Sequence, residues 1–307
     1  MKWTSDDIPR LDGKTILITG ANSGLGLESA RALARKGARI ILACRTREKA
    51  RAASSELLHD QPDAQLEPLA LDLSDLASVR SAAHDVASRH DRLDVLLNNA
   101  GVMATPYLRT RDGFELQFGT NHLGHFALSG LLFPLLRATP DARVISVTSS
   151  AHKIGRMRFD DPHWENGYAR WPAYGTSKLA NLLFINELAS RCKQASVPVL
   201  SAAAHPGYAS TNLQLRGAQM REARLAEKVI RALNPVFGQP AAMGALPQLY
   251  AATASDVSSG DYIGPGGLFE TRGHPKKVRA SPRAYDSADM RSLWELSEGM
   301  TQVHFGV

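Results

Sequence analysis

Cysteine is nearly missing from this 307-residue chain: only Cys44 and Cys192 occur, far apart and in no metal-type spacing. A disulfide scaffold and a zinc site are therefore not expected. A single α/β domain of this length buries roughly three quarters of its unfolded surface and needs no such staples. Long apolar runs are also lacking. No stretch of about 18 apolar residues could span a bilayer, and the run Leu131 to Leu136 is interrupted by Pro134. The start, MKWTSDDIPRLDGK, is polar and has no signal-peptide core. Aromatic residues do not interleave with basic ones as a nucleic-acid strand binder requires. The 36 Lys and Arg against 30 Asp and Glu leave +6, which suits an anionic ligand but not a nucleic-acid partner. No GxSxG elbow points to a serine hydrolase. We expect a soluble, cytoplasmic protein without repeats, linkers or metal.

What is present is a rhythm. Short apolar runs at Thr15–Thr19, Arg39–Ala43, Leu66–Leu71, Leu93–Leu97, Arg143–Val147 and Val197–Ala204 read as buried strands. Between them lie helical stretches: Leu25–Arg35 (stopped by Gly37), Thr46–Leu58, Asp75–Arg89, a long helix through Leu135, and one starting near Tyr174. Each parallel strand needs a crossover, and crossovers are right-handed. The expected fold is therefore α/β: a doubly wound parallel sheet (a Rossmann fold), with residues 1–307 as one domain. Beyond Ala204 the chain turns irregular and rich in Gly and Pro. Residues 205–240 read as a substrate lid and 271–307 as a C-terminal tail.

The first strand runs into Gly20-Ala21-Asn22-Ser23-Gly24-Leu25-Gly26. Gly20 permits a tight turn, Gly24 lets backbone approach a ligand, and Gly26 lets helix pack on strand. The helix that follows offers free N–H groups to a pyrophosphate. At the end of the second strand the sequence is Ala43-Cys44-Arg45-Thr46-Arg47. No carboxylate stands there for a ribose 2′-hydroxyl, whereas Arg45 offers a planar fork for a 2′-phosphate. This selects NADP(H) over NAD(H).

Further blocks follow in order: Asp72-Leu73; Asn98-Asn99-Ala100-Gly101; Asn121 in Asn-His-Leu-Gly; Ser149 after a strand; Tyr174-x-x-x-Lys178; and His205-Pro206-Gly207 with Thr211. Over residues 12 to 270 this ordered set resembles the short-chain dehydrogenase/reductase family. Ala43-Cys44-Arg45, Asn121-His122-Leu123-Gly124-His125-Phe126 and Lys178-Leu179-Ala180-Asn181 are most similar to its retinol-dehydrogenase-like branch. The resemblance implies hydride transfer between nicotinamide and a carbonyl or alcohol carbon. It assigns catalysis to Asn121, Ser149, Tyr174 and Lys178. It assigns cofactor binding to Gly20, Asn22, Ser23, Gly24, Leu25, Gly26, Arg45, Asp72, Leu73, Asn98, Asn99, Ala100 and Gly101, to Tyr174 and Lys178 again, and to Pro206, Gly207 and Thr211. Asn121 would kink a helix and support a water relay to the lysine.

The residue chemistry agrees with these roles. Reducing a ketone needs a proton for the developing alkoxide, and Tyr174 can give it. An ordinary phenol, with a pKa near 10, is too weak an acid for fast cycling. Lys178 lies one helical turn away, and its charge, with that of oxidised nicotinamide, is expected to lower the Tyr174 pKa. Ser149 would donate to the substrate oxygen; Thr148 and Ser150 compete for that role. Ser149 and Tyr174 are 25 positions apart, and the insertion between them, with Gly155, Arg156, Asp160, Asp161, Pro162, Trp164 and Gly167, is expected to line the substrate mouth. His122, His125, His152 and His205 receive no catalytic role, since no carboxylate or metal-like set accompanies them in sequence.

Met220 to Asn234 sets Leu225, Val229, Ile230 and Leu233 against Arg221, Arg224, Lys228 and Arg231. It reads as a lid helix over an apolar pocket in preference to a membrane-surface helix. Leu293, Trp294 and Leu296 dock a last helix or sit in a subunit contact. The helix Leu179–Leu188, apolar all round, fits a homo-oligomer. Two rivals to the redox assignment are a nucleotide-sugar epimerase or dehydratase and a non-catalytic NADP(H) sensor. The GxxxGxG spacing speaks against the first, and the intact Ser149, Tyr174 and Lys178 against the second.

Overall fold

The computed structural model describes residues 2–208 and 239–307. Eight strands form one sheet in the order β3-β2-β1-β4-β5-β6-β7-β8. They are β1 Thr15–Thr19, β2 Arg39–Cys44, β3 Leu66–Ala70, β4 Val95–Asn98, β5 Arg143–Val147, β6 Leu200–Ala204, β7 Tyr262–Pro265 and β8 Pro275–Val278. All neighbours pair parallel except β7 with β8. The helices are α1 Gly24–Ala34, α2 Arg47–Asp60, α3 Leu76–Arg89, α4 Leu116–Phe118, α5 Gly124–Ala138, α6 Arg170–Gln194, α7 Ala241–Thr253 and α8 Ser287–Thr301. Two apolar clusters, one on each face of the sheet, bury the central strands, so β1 and β4 are buried throughout. That two-sided burial is why these strands read as unbroken apolar runs.

The doubly wound sheet matches the expectation up to β6, with small shifts. β6 starts at Leu200 and not Val197, because Pro198 cannot donate to a ladder. The chain after Ala204 differs more. β7, β8 and α7 belong to the sheet and its covering layer, and α7 packs on α1. The 271–307 segment supplies an edge strand and α8, and α8 docks on α6. Leu293 and Trp294 are buried against Phe126, Phe184 and Phe305 of the same chain. Leu179, Leu182, Leu183, Phe184, Ile185 and Leu188 are likewise buried within the protomer. Most of the 205–240 lid, including the 220–234 helix, lies outside the described residues, as does Thr211. Among the described residues no helix is long and apolar enough to cross a membrane.

Candidate active site

The strand order reverses at β1, which has β2 on one side and β4 on the other. At such a switch point the loops leaving the two strands diverge and open a crevice at their carboxyl ends. The turn after β1 enters that crevice with Gly20 (φ +68) and Gly24 (φ +55) in the left-handed region. Gly26 is required for a different reason: a side chain there would run into the Gly20 carbonyl oxygen and meet the Asn99 Nδ2 at 2.6 Å. Ser23 is the N-cap of α1 but makes no side-chain cap bond. The first N–H groups of the helix are thus left for a ligand in the crevice.

Asn22, Ser23, Leu25, Arg45, Asp72, Leu73, Asn99, Ala100 and Gly101 line this same cleft with the three glycines. Arg45 is about half exposed, and its Nε stands 4.0 Å from Asp72 Oδ2. The other Asp72 oxygen accepts from the Ser74 N–H (3.0 Å) and hydroxyl (2.6 Å). The crevice fits a dinucleotide: a glycine cradle, an uncapped helix start, and the Arg45 guanidinium in its lining. Asn98 departs from its expected place. Its side chain points to the opposite face and donates to Ser129 Oγ of α5 at 3.0 Å. Successive strand residues alternate faces, so Asn98 braces a helix while Asn99 meets the cleft.

The second half of the site comes from β5, α5 and α6. Asn121 sits in a π-helical turn, Gly119–Leu123, between α4 and α5. Its Oδ1 accepts from Val102 N at 2.7 Å, and its Nδ2 donates to Val102 O and Ser177 Oγ, both at 2.9 Å. Tyr174 and Lys178 share one face of α6, with the Lys178 Nζ 5.8 Å from the phenol ring centre. Lys178 donates to Val147 O at 3.0 Å. The Ser149 hydroxyl lies near the Tyr174 phenol and favours its ionised form. The competing Thr148 donates to Lys178 O (2.8 Å), and Ser150 is exposed. Gly101 joins the two halves, since a Cβ there would lie 3.4 Å from Lys178 Nζ and 3.0 Å from Asn121 Oδ1.

The expectation that Lys178, together with oxidised nicotinamide, acidifies Tyr174 concerns the cofactor-bound site; within the protein alone, burial governs both groups. Burial pushes the phenol up to about 12, offset in part by the nearby Ser149 hydroxyl. Burial also brings the Lys178 ammonium down to about 8. Desolvation disfavours both charged forms, so among the protein's own groups burial favours the neutral, proton-bearing phenol.

Pro206 and Gly207 lie just past the end of β6, outside the cleft lining. Pro206 O accepts from Gln239 Nε2 (2.6 Å), and Gly207 (φ +67) packs on the Thr271 carbonyl. The insertion after Ser149 is tied to the loop after β4. Tyr168 OH donates to Thr105 O (2.9 Å) and accepts from Gln117 Nε2 (2.8 Å), while Glu165 pairs with Arg109 (2.6 Å). Of the four histidines near the motifs, His205 does have a carboxylate neighbour: Glu270 Oε2 is 3.2 Å from its Nε2. That pair is formed by distant segments, which sequence proximity could not reveal.

The family profile described as short chain dehydrogenase matches residues 14–222, more than half of the chain. The protein is a short-chain dehydrogenase/reductase. Within that family it belongs to the retinol-dehydrogenase-like branch. Retinol dehydrogenase 14 of Mus musculus is 40% identical over 305 residues, covering 95% of this chain and 87% of that protein. Retinol dehydrogenase 12 of Homo sapiens is 40% identical over 290 residues, covering 94% and 86%. A crystal structure of an uncharacterized protein from Mycobacterium paratuberculosis superposes with a TM-score of 0.82 at 42% identity, covering 100% of both chains. An NAD(P)-dependent gluconate 5-dehydrogenase of Beutenbergia cavernae, solved with bound NADP, gives a TM-score of 0.60 at 25% identity, covering 79% of this chain and 90% of that one.

Three residues of this dehydrogenase support the site without having drawn a role from sequence. Thr19 Oγ1 accepts from the N–H groups of Asn99 (2.9 Å) and Ala100 (3.0 Å) and meets His125 Nε2 at 2.9 Å. His125 Nδ1 in turn donates to Asn121 O at 3.0 Å. Gln248 of α7 donates to Ser29 Oγ (2.8 Å) and Asn99 Oδ1 (3.1 Å). The available signal was weak in each case: a strand-end Thr, an i, i+4 His after Asn121, and a Gln in an apolar helix.

Proposed function

We propose that this enzyme is an NADP(H)-dependent oxidoreductase that interconverts a carbonyl and an alcohol on an apolar substrate. The observation that carries the proposal is the buried Tyr174 phenol, near Ser149 and one turn from Lys178, with Lys178 reaching Gly101 at the nucleotide crevice. Bound in that crevice, a nicotinamide supplies or takes the hydride. Tyr174 gives its proton to the alkoxide as charge develops. Ser149 donates a hydrogen bond to the same oxygen. The Lys178 charge then stabilises the tyrosinate until a proton returns. Asn121 holds the loop after β4 against α6, so the crevice and the proton donor keep one geometry.

Arg45 supports the choice of NADP(H), and the NADP-bound relative agrees with it. Two exposed apolar side chains flank Tyr174 and support an apolar substrate. Trp171 lies edge-on at 6.1 Å between ring centres, and Ile154 packs on Gly175. The retinol dehydrogenases among the relatives point the same way. A panel of apolar and polar aldehydes, ketones and alcohols, followed by NADPH or NADH absorbance, tests the proposal. It predicts turnover with kcat/KM at least about 10-fold higher for NADPH, the size of one charge-assisted contact. Equal kcat/KM for the two cofactors, or preference for NADH, would refute the cofactor assignment. A preference for polar substrates would refute the substrate class.

A further inference from the structure

His152 belongs to the 3₁₀ turn Ser150–Ile154 that follows Ser149, and it is wholly buried. Both of its ring nitrogens are engaged. Nδ1 lies 2.7 Å from the Ser149 carbonyl oxygen, and the Ser281 N–H reaches Nε2 at 3.0 Å. A carbonyl can only accept and a backbone N–H can only donate. The ring must therefore carry its proton on Nδ1 and keep Nε2 bare, so one neutral tautomer serves both bonds. Ser281 lies 129 residues away in sequence, between β8 and the turn Pro282–Tyr285. That turn is itself held to α6 by Asn186, whose Nδ2 donates to Ala284 O at 2.7 Å. Tyr262 of β7 closes over the His152 ring edge-on at 5.6 Å.

Ser149 is the one proton-site residue that lies on a loop and not within a helix. Its hydroxyl accepts from Ala151 N at 3.2 Å, which leaves the O–H free to donate. Orientation of its carbonyl fixes the peptide plane from which the turn departs. We infer that His152 is a positioning residue for the proton-donating site: it holds the Ser149 carbonyl against Ser281 and makes the C-terminal segment part of that site. The inference rests on the assignment of Ser149 and Tyr174 given above. His152 touches neither substrate nor cofactor; it acts through Ser149.

Two variants separate its bonds. In His152→Asn the side-chain amide falls near Nδ1 and can still donate to Ser149 O. In His152→Gln the amide oxygen falls near Nε2 and can still accept from Ser281. Both are to be compared with wild type for kcat and KM on the best carbonyl substrate of the panel, for NADPH affinity, for melting temperature, and for hydrogen exchange at the Ser281 amide. His152→Gln should keep Ser281 protected yet lower kcat by about 10-fold or more, the scale of a misplaced catalytic group, with NADPH affinity unchanged. His152→Asn should retain kcat within about 3-fold, less than the cost of one net hydrogen bond, while Ser281 loses protection. Equal losses of kcat in both variants that track melting temperature would overturn the inference, as would full kcat in His152→Gln. If wild type reduces no carbonyl with either cofactor, the oxidoreductase assignment fails. The exchange data still decide the clamp in that case, since an unprotected Ser281 in wild type overturns it.

Discussion

The nucleotide crevice and the group around Tyr174 occupy one edge of one sheet, yet they are made of different material. The crevice is mainly backbone. Its cradle depends on hydrogen atoms where other residues carry a Cβ, at Gly20, Gly26 and Gly101. The catalytic half is side chain, with Asn121, Tyr174 and Lys178 all nearly inaccessible and the last two displaced by burial in opposite directions. A backbone site fails when atoms are added to it. A buried side-chain site fails when atoms are taken away. Substitutions in the two halves should therefore separate binding from turnover.

The largest effect that sharpens this contrast is expected at Ser149. Replacing it by Ala should cut kcat by about 100-fold or more, as loss of an oxyanion donor does elsewhere, with NADPH affinity unchanged in a fluorescence titration. Gly26→Ala should do the reverse. The added methyl meets Gly20 and Asn99, and NADPH affinity should fall by about 100-fold, the equivalent of roughly 2.7 kcal/mol of strain. If both variants lost kcat and affinity together, the two halves would not be separable. Arg45→Ala should be milder, cutting the NADPH over NADH preference in kcat/KM by about 10- to 100-fold. The smallest effect concerns the seam between the halves, where His125 bonds both Thr19 and Asn121.

Burial holds His122 at about 3, His125 at about 4 and His205 at about 3. Unfolded, each would protonate near 6.5. Below that pH the unfolded chain takes up protons that the fold refuses. Their contribution is therefore complete above about 6.5 and is lost as the pH falls toward the folded values, at up to about 1.4 kcal/mol per pH unit for each histidine. Melting temperature should drop between pH 7.5 and 5.5, and less so in His125→Gln. A flat profile would mean that these rings are not held neutral.

The sequence foretold the crevice better than the chemistry beside it, for physical reasons. Strands buried on both faces are continuous apolar runs, so β1, β2, β4 and β5 are visible in one dimension, and a glycine turn between strand and helix is a local motif. β7 and β8 are four residues each, YIGP and PKKV, too short to set a pattern, and the proline and lysines of β8 suit its place at the sheet edge. Tyr174 and Lys178 were legible from their spacing. The extent of their burial was not, because desolvation depends on what α6 packs against. Asn98 was expected in the cleft through its place in the Asn-Asn-Ala-Gly block, and strand alternation turned it away. The brace from Thr19 through His125 to Asn121 spans residues 106 positions apart at its longest step, a distance at which no local pattern speaks.

The central claim is that Tyr174 supplies the proton to a carbonyl reduced at the crevice. Tyr174→Phe tests it most directly when kcat and NADPH affinity are measured on the same preparation. The account predicts a fall in kcat of about 100- to 10,000-fold, the range of a lost general acid, with NADPH bound as tightly as by wild type. Undiminished turnover in that variant would contradict it.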